Sequence, residues 1–170
     1  TDINGQYKFD NLAPGTYGVR ELQPNGYYNG GTEVGSAGGV EGNDIVSEIV
    51  LGSGVDAVNY DFCENIPASL SGKVWADANG DNMYQVGEVL LAGVKMELLG
   101  ATGNVISTTF TNNIGQYKFT NLAPGEYQVR ETQPVGYFDS GEMAGSKGGV
   151  ILTNDLISQV LLQSGDNAVN

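Results

Sequence analysis

The chain has no histidine, one cysteine, and 7 lysines and arginines against 20 aspartates and glutamates in 170 residues. Each shortage narrows the chemistry. Without imidazole, the chain lacks the commonest general base near neutral pH and the commonest nitrogen ligand for metals. A formal net charge of −13 argues against nucleic acid, because phosphates are held by clustered Lys and Arg. It argues equally against contact with an anionic membrane. The single thiol, Cys63, cannot close an internal disulfide. It is either a free surface thiol or half of a bridge to another chain. No apolar run approaches the roughly 20 residues of a membrane span. With no G-x-S-x-G stretch and no paired carboxylates on one element, the sequence shows no nucleophile or acid–base constellation, and no enzyme is predicted.

What is abundant is glycine (26), tyrosine (9) and a 40% apolar fraction, the composition of a packed all-β protein with many turns. The dominant feature is a duplication. Residues 5–27, GQYKFDNLAPGTYGVRELQPNGY, return at 115–137 as GQYKFTNLAPGEYQVRETQPVGY, with 18 of 23 positions identical. Ser36–Val40 returns as Ser146–Val150, and Ala57-Val58-Asn59 returns as Ala168-Val169-Asn170. A repeat this long can bury its own core. The expectation is therefore two modules, residues 1–66 as the back part of one and residues 67–170 as a second.

In the first module, Gln6–Phe9, Thr16–Glu21, Ile45–Leu51 and Ala57–Phe62 read as strands separated by Pro- and Gly-rich turns. Glu64–Ala68 reads as a short, semi-rigid linker. In the second, Leu70–Trp75, Gly93–Leu99 and Val105–Phe110 precede the repeated stretch, and the final strand is expected to be cut off after Asn170. Short strands about ten residues apart predict antiparallel β-sandwiches of immunoglobulin-like size. The first module has no counterpart to the segment that precedes the repeat in the second. The expectation is that it exposes core and sheet edge unless a longer polypeptide, or a neighbouring chain, supplies those strands.

Asp77-Ala-Asn-Gly-Asp-Asn-Met-Tyr-Gln-Val-Gly-Glu88 has the spacing of a 12-residue calcium loop. Oxygen side chains fall at positions 1, 3 and 5 (Asp77, Asn79, Asp81). A backbone carbonyl falls at 7 (Met83), Gln85 at 9 and Glu88 at 12. Calcium is a hard cation taking six to eight oxygens, and alternate residues of a tight loop can all turn inward. Position 6, normally Gly, is Asn82, which also tolerates positive φ. The flanks read as strands, so the predicted Ca²⁺ site is structural rather than a sensor. The alternative is a solvated acidic turn. Acidic residues elsewhere, such as Asp44, Asp56, Asp139 and Glu142, show no comparable pattern.

Glu21 and Glu131 fall in strand phase with Tyr17/Val19 and Tyr127/Val129. A carboxylate on a core-facing position is expensive unless it finds a partner or a task. Either it is an edge-of-core Glu bonded to a Tyr hydroxyl or backbone, or it promotes an internal Lys–Asn or Lys–Asp amide bond.

The order SLSGKVWADANGDNMYQVGE, LAGVKMELL, NIGQYKFTNLAPGEYQVRETQPVGY, then GSKGG and NDLIS, resembles the SdrD B-like repeats of bacterial surface proteins, related to Cna B-type domains. The resemblance implies prealbumin-like β-sandwiches in tandem, extracellular or cell-surface location, and structural calcium at Asp77, Asn79, Asp81 and Glu88. It also implies a candidate isopeptide bond from Lys73, assisted by Glu131, with Asn170 at about the acceptor position (Asn59 or Asp61 in the first module).

The function so implied is that of a non-catalytic structural repeat in a stalk, adhesin or fibre, with neighbouring repeats as partners. Two alternatives stand beside it. One is a fibre subunit that self-associates by strand exchange. The other is an adhesion module binding glycan or protein through Tyr27-Tyr28 and Tyr137-Phe138.

Overall fold

A computed structural model describes residues 1–169 and shows an all-β protein, with no helix among them. The chain divides into two compact units, Thr1–Glu64 and Asn65–Asn170.

Unit 1 contains β1 (Gly15–Arg20), β2 (Tyr28–Thr32), β3 (Val40–Gly42), β4 (Ile45–Leu51) and β5 (Phe62–Asn65). β4 lies between β1 and β3, antiparallel to both, and β2 pairs with β5. Val46, Ile49 and Tyr60 form a small core, with Val19, Val34, Ala37, Leu51, Ala57 and Phe62 packed against it. Two expectations fail here. Gln6–Phe9 is not a strand, and of Ala57–Phe62 only Phe62 belongs to one. A strand exists only where a second backbone completes its ladder, and the sequence has no first-unit counterpart to the strand that pairs both stretches in unit 2. Val58 instead exchanges hydrogen bonds with Ser36, its N–H donating to Oγ at 2.9 Å and its carbonyl accepting from Ser36 N–H at 2.8 Å. The expected linker also shrinks, since β5 runs to Asn65 and the next strand opens at Ala68.

Unit 2 holds β6 (Ala68–Lys73), β7 (Trp75–Ala76), β8 (Val89–Leu90), β9 (Lys95–Gly100), β10 (Val105–Phe110), β11 (Gln116–Leu122), β12 (Gly125–Glu131), β13 (Val150–Thr153), β14 (Leu156–Leu162) and β15 (Asn167–Val169). One sheet has the order β10-β9-β12-β14-β13, all antiparallel. The other has the order β11-β6-β15, with β15 parallel to β6. β15 covers Asn167–Val169, and the point after Asn170 at which the last strand is expected to be cut off falls beyond it. Asn170 itself lies outside the described residues.

Alternation builds the core between the two sheets. Leu70 from β6, Tyr117 and Phe119 from β11, Met96 and Leu98 from β9, Tyr127 and Val129 from β12, and Val160 and Leu162 from β14 share one buried cluster. Residues i and i+2 of a strand point to the same side. Gly72 makes room for Tyr117, because a Cβ there would come within 2.5 Å of the Tyr117 hydroxyl. Thr111 pins the approach to β9 from inside. Its buried hydroxyl accepts from Val94 N–H at 2.9 Å and donates to the Leu91 carbonyl at 2.6 Å. β7 and β8 pair as a short hairpin, with Trp75 opposite Leu90 and Ala76 opposite Val89. Residues 77–88 are the loop of that hairpin.

Candidate metal centre

The hairpin loop is held by its own side chains. Asp77, at position 1, accepts from the N–H groups of Asn79 (3.2 Å), Gly80 (2.8 Å) and Asn82 (2.8 Å). These donors hold its carboxyl below the usual value, Asn82 N–H acting most strongly. Asn79 Oδ1 accepts from Asp81 N–H at 3.2 Å, and Asp81 accepts from Met83 N–H at 2.8 Å. Glu88, at position 12, reaches back to accept from Ala78 N–H at 3.0 Å and also takes Gln85 N–H at 2.8 Å, which closes the ring. Asn82 adopts φ = 60°, the left-handed conformation that position 6 requires.

One atom tests whether this loop suits a cation. Gln85, at position 9, donates Nε2 to Asp81 at 2.7 Å, which leaves its Oε1 buried with no donor among the described residues. A buried acceptor without a donor is costly, and a hard cation is what an orphaned amide oxygen beside two carboxylates can ligate. The donor set of Asp77, Asn79, Asp81, Met83, Gln85 and Glu88 is all oxygen and therefore fits Ca²⁺ in kind.

A second acidic grouping was not visible in the sequence. Among the described residues, the one trio of carboxylates whose oxygens lie within 4.8 Å of one another is Asp139, Glu142 and Asp155. The grouping is one of space, and Asp139 and Glu142 still show no spacing comparable to that of the loop. The tight turn between β13 and β14 carries Asp155 at φ = 62°, and Glu142 accepts its N–H. The Asp155 carbonyl accepts from Glu131 N–H at 2.9 Å, so the end of β12 lies against the same turn. Ser140 joins this segment to the loop by donating to Asp77 Oδ2 at 2.9 Å. Loop and trio border one cavity of about 340 Å³, lined in part by Asp77, Asn82, Glu131, Asp139, Glu142 and Asp155.

Glu131 is the most perturbed acid of the cavity. Burial, then repulsion from Asp155, Asp139 and Glu142, raises its carboxyl to about 7. Glu21 is its first-unit copy and is also raised, by burial and by Glu64 and Asp44. The strand phase read from the sequence was therefore informative at both copies.

Lys73, the isopeptide candidate, lies at the end of β6. It stands one residue out of phase with Gly72, the position that faces Tyr117, and its ammonium lies 4.3 Å from the ring centre of Tyr84. The charges that act on Glu131 are all carboxylates, and Lys73 is not among them. The structure thus links the loop residues by hydrogen bonds, without gathering the Asp77, Asp81 and Glu88 carboxylates as closely as the trio, sets Glu131 among three acids, and places Lys73 and Glu131 on the lining of the same cavity. Cys63 is free and exposed.

Residues 68–168 match the model of the SdrD B-like domain. The chain belongs to the SdrD B-like domain family. Its match begins with β6 and ends within β15, so it spans both sheets of unit 2. The chain is 35% identical over 143 residues to serine-aspartate repeat-containing protein C of Staphylococcus aureus strain Newman, and 34% identical over 143 residues to that of strain N315. In each case the match takes in 83% of this chain and 15% of the relative, so this SdrD B-like chain spans a small part of the proteins it resembles. Among solved structures, the Bacillus anthracis TIE protein aligns over 94% of this chain and 24% of that one, at 17% identity and a TM-score of 0.44. The shaft pilin SpaA of Lactobacillus rhamnosus GG aligns over 61% and 48%, at 13% identity and 0.38. Both superpositions are too loose to bear on function.

Proposed function

We propose that the chain is a non-catalytic structural repeat of an extracellular surface protein or fibre, a stalk or scaffold module that bound calcium makes rigid. Membership of the SdrD B-like family supports the repeat-domain part of this reading. The observation that carries the calcium part is the loop Asp77–Glu88. Its Asp77 carboxylate gathers three backbone N–H groups, and its Gln85 Oε1 is buried without a donor. Calcium held by Asp77, Asn79, Asp81, the Met83 carbonyl, Gln85 and Glu88 would supply the positive charge that a protein of net charge −13 lacks there.

What the chain's own residues do is mechanical. The loop closes the β7–β8 hairpin, and Ser140 ties it to the segment that leads towards β13. A fixed loop would thereby hold both together. Neighbouring repeats of the same polypeptide are the proposed partners.

Calcium titration by calorimetry tests this reading. The intact chain should bind Ca²⁺, and Asp77→Ala and Glu88→Ala should each remove a binding event. Binding that survives both substitutions would place the ion elsewhere, and no binding at millimolar Ca²⁺ would end the calcium reading.

One observation favours an adhesion module as a second reading. Val135 and Phe138 are 99% and 98% exposed beside Tyr137, an apolar tip of the kind that contacts protein or glycan. Binding of a matrix protein or glycan that Phe138→Ala abolishes would support it, and no binding to either would sink it.

A further inference from the structure

The two main sheets of unit 2 have four edges, at β10 and β13 and at β11 and β15. Proteins guard such edges with charge, short length or proline, because unpaired N–H and C=O groups accept a further strand. β11 carries an exposed Lys118. β13 has four residues and lies between Lys147 and Asp155, and β15 has three and follows Asp166. β10 differs from all of them. It has six residues, with no charge and no proline. It sits inside residues 98–117, the longest uncharged run of the sequence at 20 residues, where the next longest, residues 22–32, has 11.

β10 is also bare. Val105, Ile106 and Phe110 are 48%, 51% and 60% exposed, and its edge away from β9 has no strand partner among the described residues. The register with β9 sets its faces. Ser107 stands opposite Leu98 and Thr109 opposite Met96, both core residues, whereas Thr108 stands opposite Glu97 and Phe110 opposite Lys95. Opposed residues share a face. Ser107 and Thr109 therefore lie on the core side, and Thr108 and Phe110 on the outer side. A register shift leaves Ile106 without a partner on β9.

We propose that the free edge of β10 pairs, antiparallel, with β10 of a second copy of this chain, joining two five-stranded sheets into one. Charge selects that occupant. Copies of formal charge −13 repel one another, and β10 is the edge at which two backbones meet with no charged side chain between them. A basic partner would be drawn to the acidic surfaces instead. The strand is also complementary to itself. Because opposed residues share a face, the two-fold axis of such a pair passes through a residue and not between two. An axis at Thr108 sets Thr108 against its copy, Ser107 against Thr109, and Ile106 against Phe110. Hydroxyl pairs and β-branched–aromatic pairs are the kinds that stabilise neighbouring strands. Each copy spends its one β10 edge, so association closes at two. Neither copy gives up a strand, which separates this pairing from strand exchange. The contact is a single strand pair, so the dissociation constant is on the order of 1 mM.

Sedimentation velocity of the whole chain tests this, with chelator present so that no divalent cation bridges the acidic surfaces. The average mass should rise towards that of a dimer as the protein approaches about 1 mM. The rise should be steeper at roughly 1 M salt than at roughly 0.01 M, because the screening length falls from about 30 Å to about 3 Å and the uncharged strand has nothing to lose by it. Thr108→Lys sets like charges against each other at the axis and should weaken association roughly tenfold. Leu152→Lys makes the same change of charge on exposed β13 and should not weaken it. An equal mixture of Thr108→Lys and Thr108→Glu should associate more strongly than either variant alone, because each meets its opposite at the axis. The proposal is overturned if the chain stays monomeric at both salt concentrations, or if association weakens as salt rises. It is also overturned if Leu152→Lys weakens association as much as Thr108→Lys, or if the mixture associates no more strongly than its components.

Discussion

Glu131→Gln should stabilise unit 2 at alkaline pH and leave it nearly unchanged in acid. The carboxyl is raised from 4.5 to about 7 by burial and by three neighbouring carboxylates. A group whose folded-state value exceeds its unfolded one binds a proton more tightly when folded. Its contribution is fully present below about pH 4.5 and is lost as the pH rises through 7. A shift of about 2.5 units at 1.36 kcal/mol each sets a ceiling of ~3 kcal/mol. The side chain is only partly sheltered, so solvent screening brings the expected effect to roughly 1–2 kcal/mol. Glutamine keeps the shape and removes the charge. At pH 8 the variant should therefore melt roughly 5–15 °C above the parent, and at pH 4 the two should nearly coincide. Thermal melts followed by circular dichroism, with chelator present so that no divalent cation masks the repulsion, measure this directly. A difference of equal size at both pH values, or a variant less stable at pH 8, would refute the reasoning.

Gly72→Ala should lower the urea midpoint of unit 2 by an amount equivalent to about 1–3 kcal/mol, because the new Cβ meets the ring of buried Tyr117. Thr111→Val keeps the shape but strands both Val94 N–H and the Leu91 carbonyl. Urea unfolding should show a loss of roughly 2 kcal/mol or more. The intact mass should equal that of the sequence, because the Lys73 ammonium lies over the Tyr84 ring, 4.3 Å from its centre. A deficit of one ammonia or one water would mean that an internal amide bond forms after all.

Where a sequence pattern is local, it reported the structure well. Alternation in Gln116–Leu122 and Gly125–Glu131 placed Tyr117, Phe119, Tyr127 and Val129 inside, and the same phase pointed at Glu131. The loop Asp77–Glu88 could be singled out because its residues are contiguous and the proposed ligand pattern lies in their spacing. The Asp139–Glu142–Asp155 trio was not, because a hairpin turn brings Asp155 to the others and no spacing rule encodes that approach. Lys73 was singled out on motif position alone. Its phase is fixed by the space Tyr117 takes above Gly72, which is a packing fact. Residues 6–9 alternate as well as 116–119 do, yet only the second copy is a strand. Alternation states which face a strand would bury, and a partner backbone decides whether the strand forms.

The claim that bound calcium rigidifies this repeat is tested most directly by the melting temperature of unit 2 with 1 mM Ca²⁺ and with excess chelator. If free Ca²⁺ stands at about 100 times the dissociation constant, binding adds ~2.7 kcal/mol. For a domain of this size that is a rise of roughly 10–20 °C, and Asp77→Ala should abolish it. A melting temperature that chelation leaves unchanged in the parent chain would contradict the account.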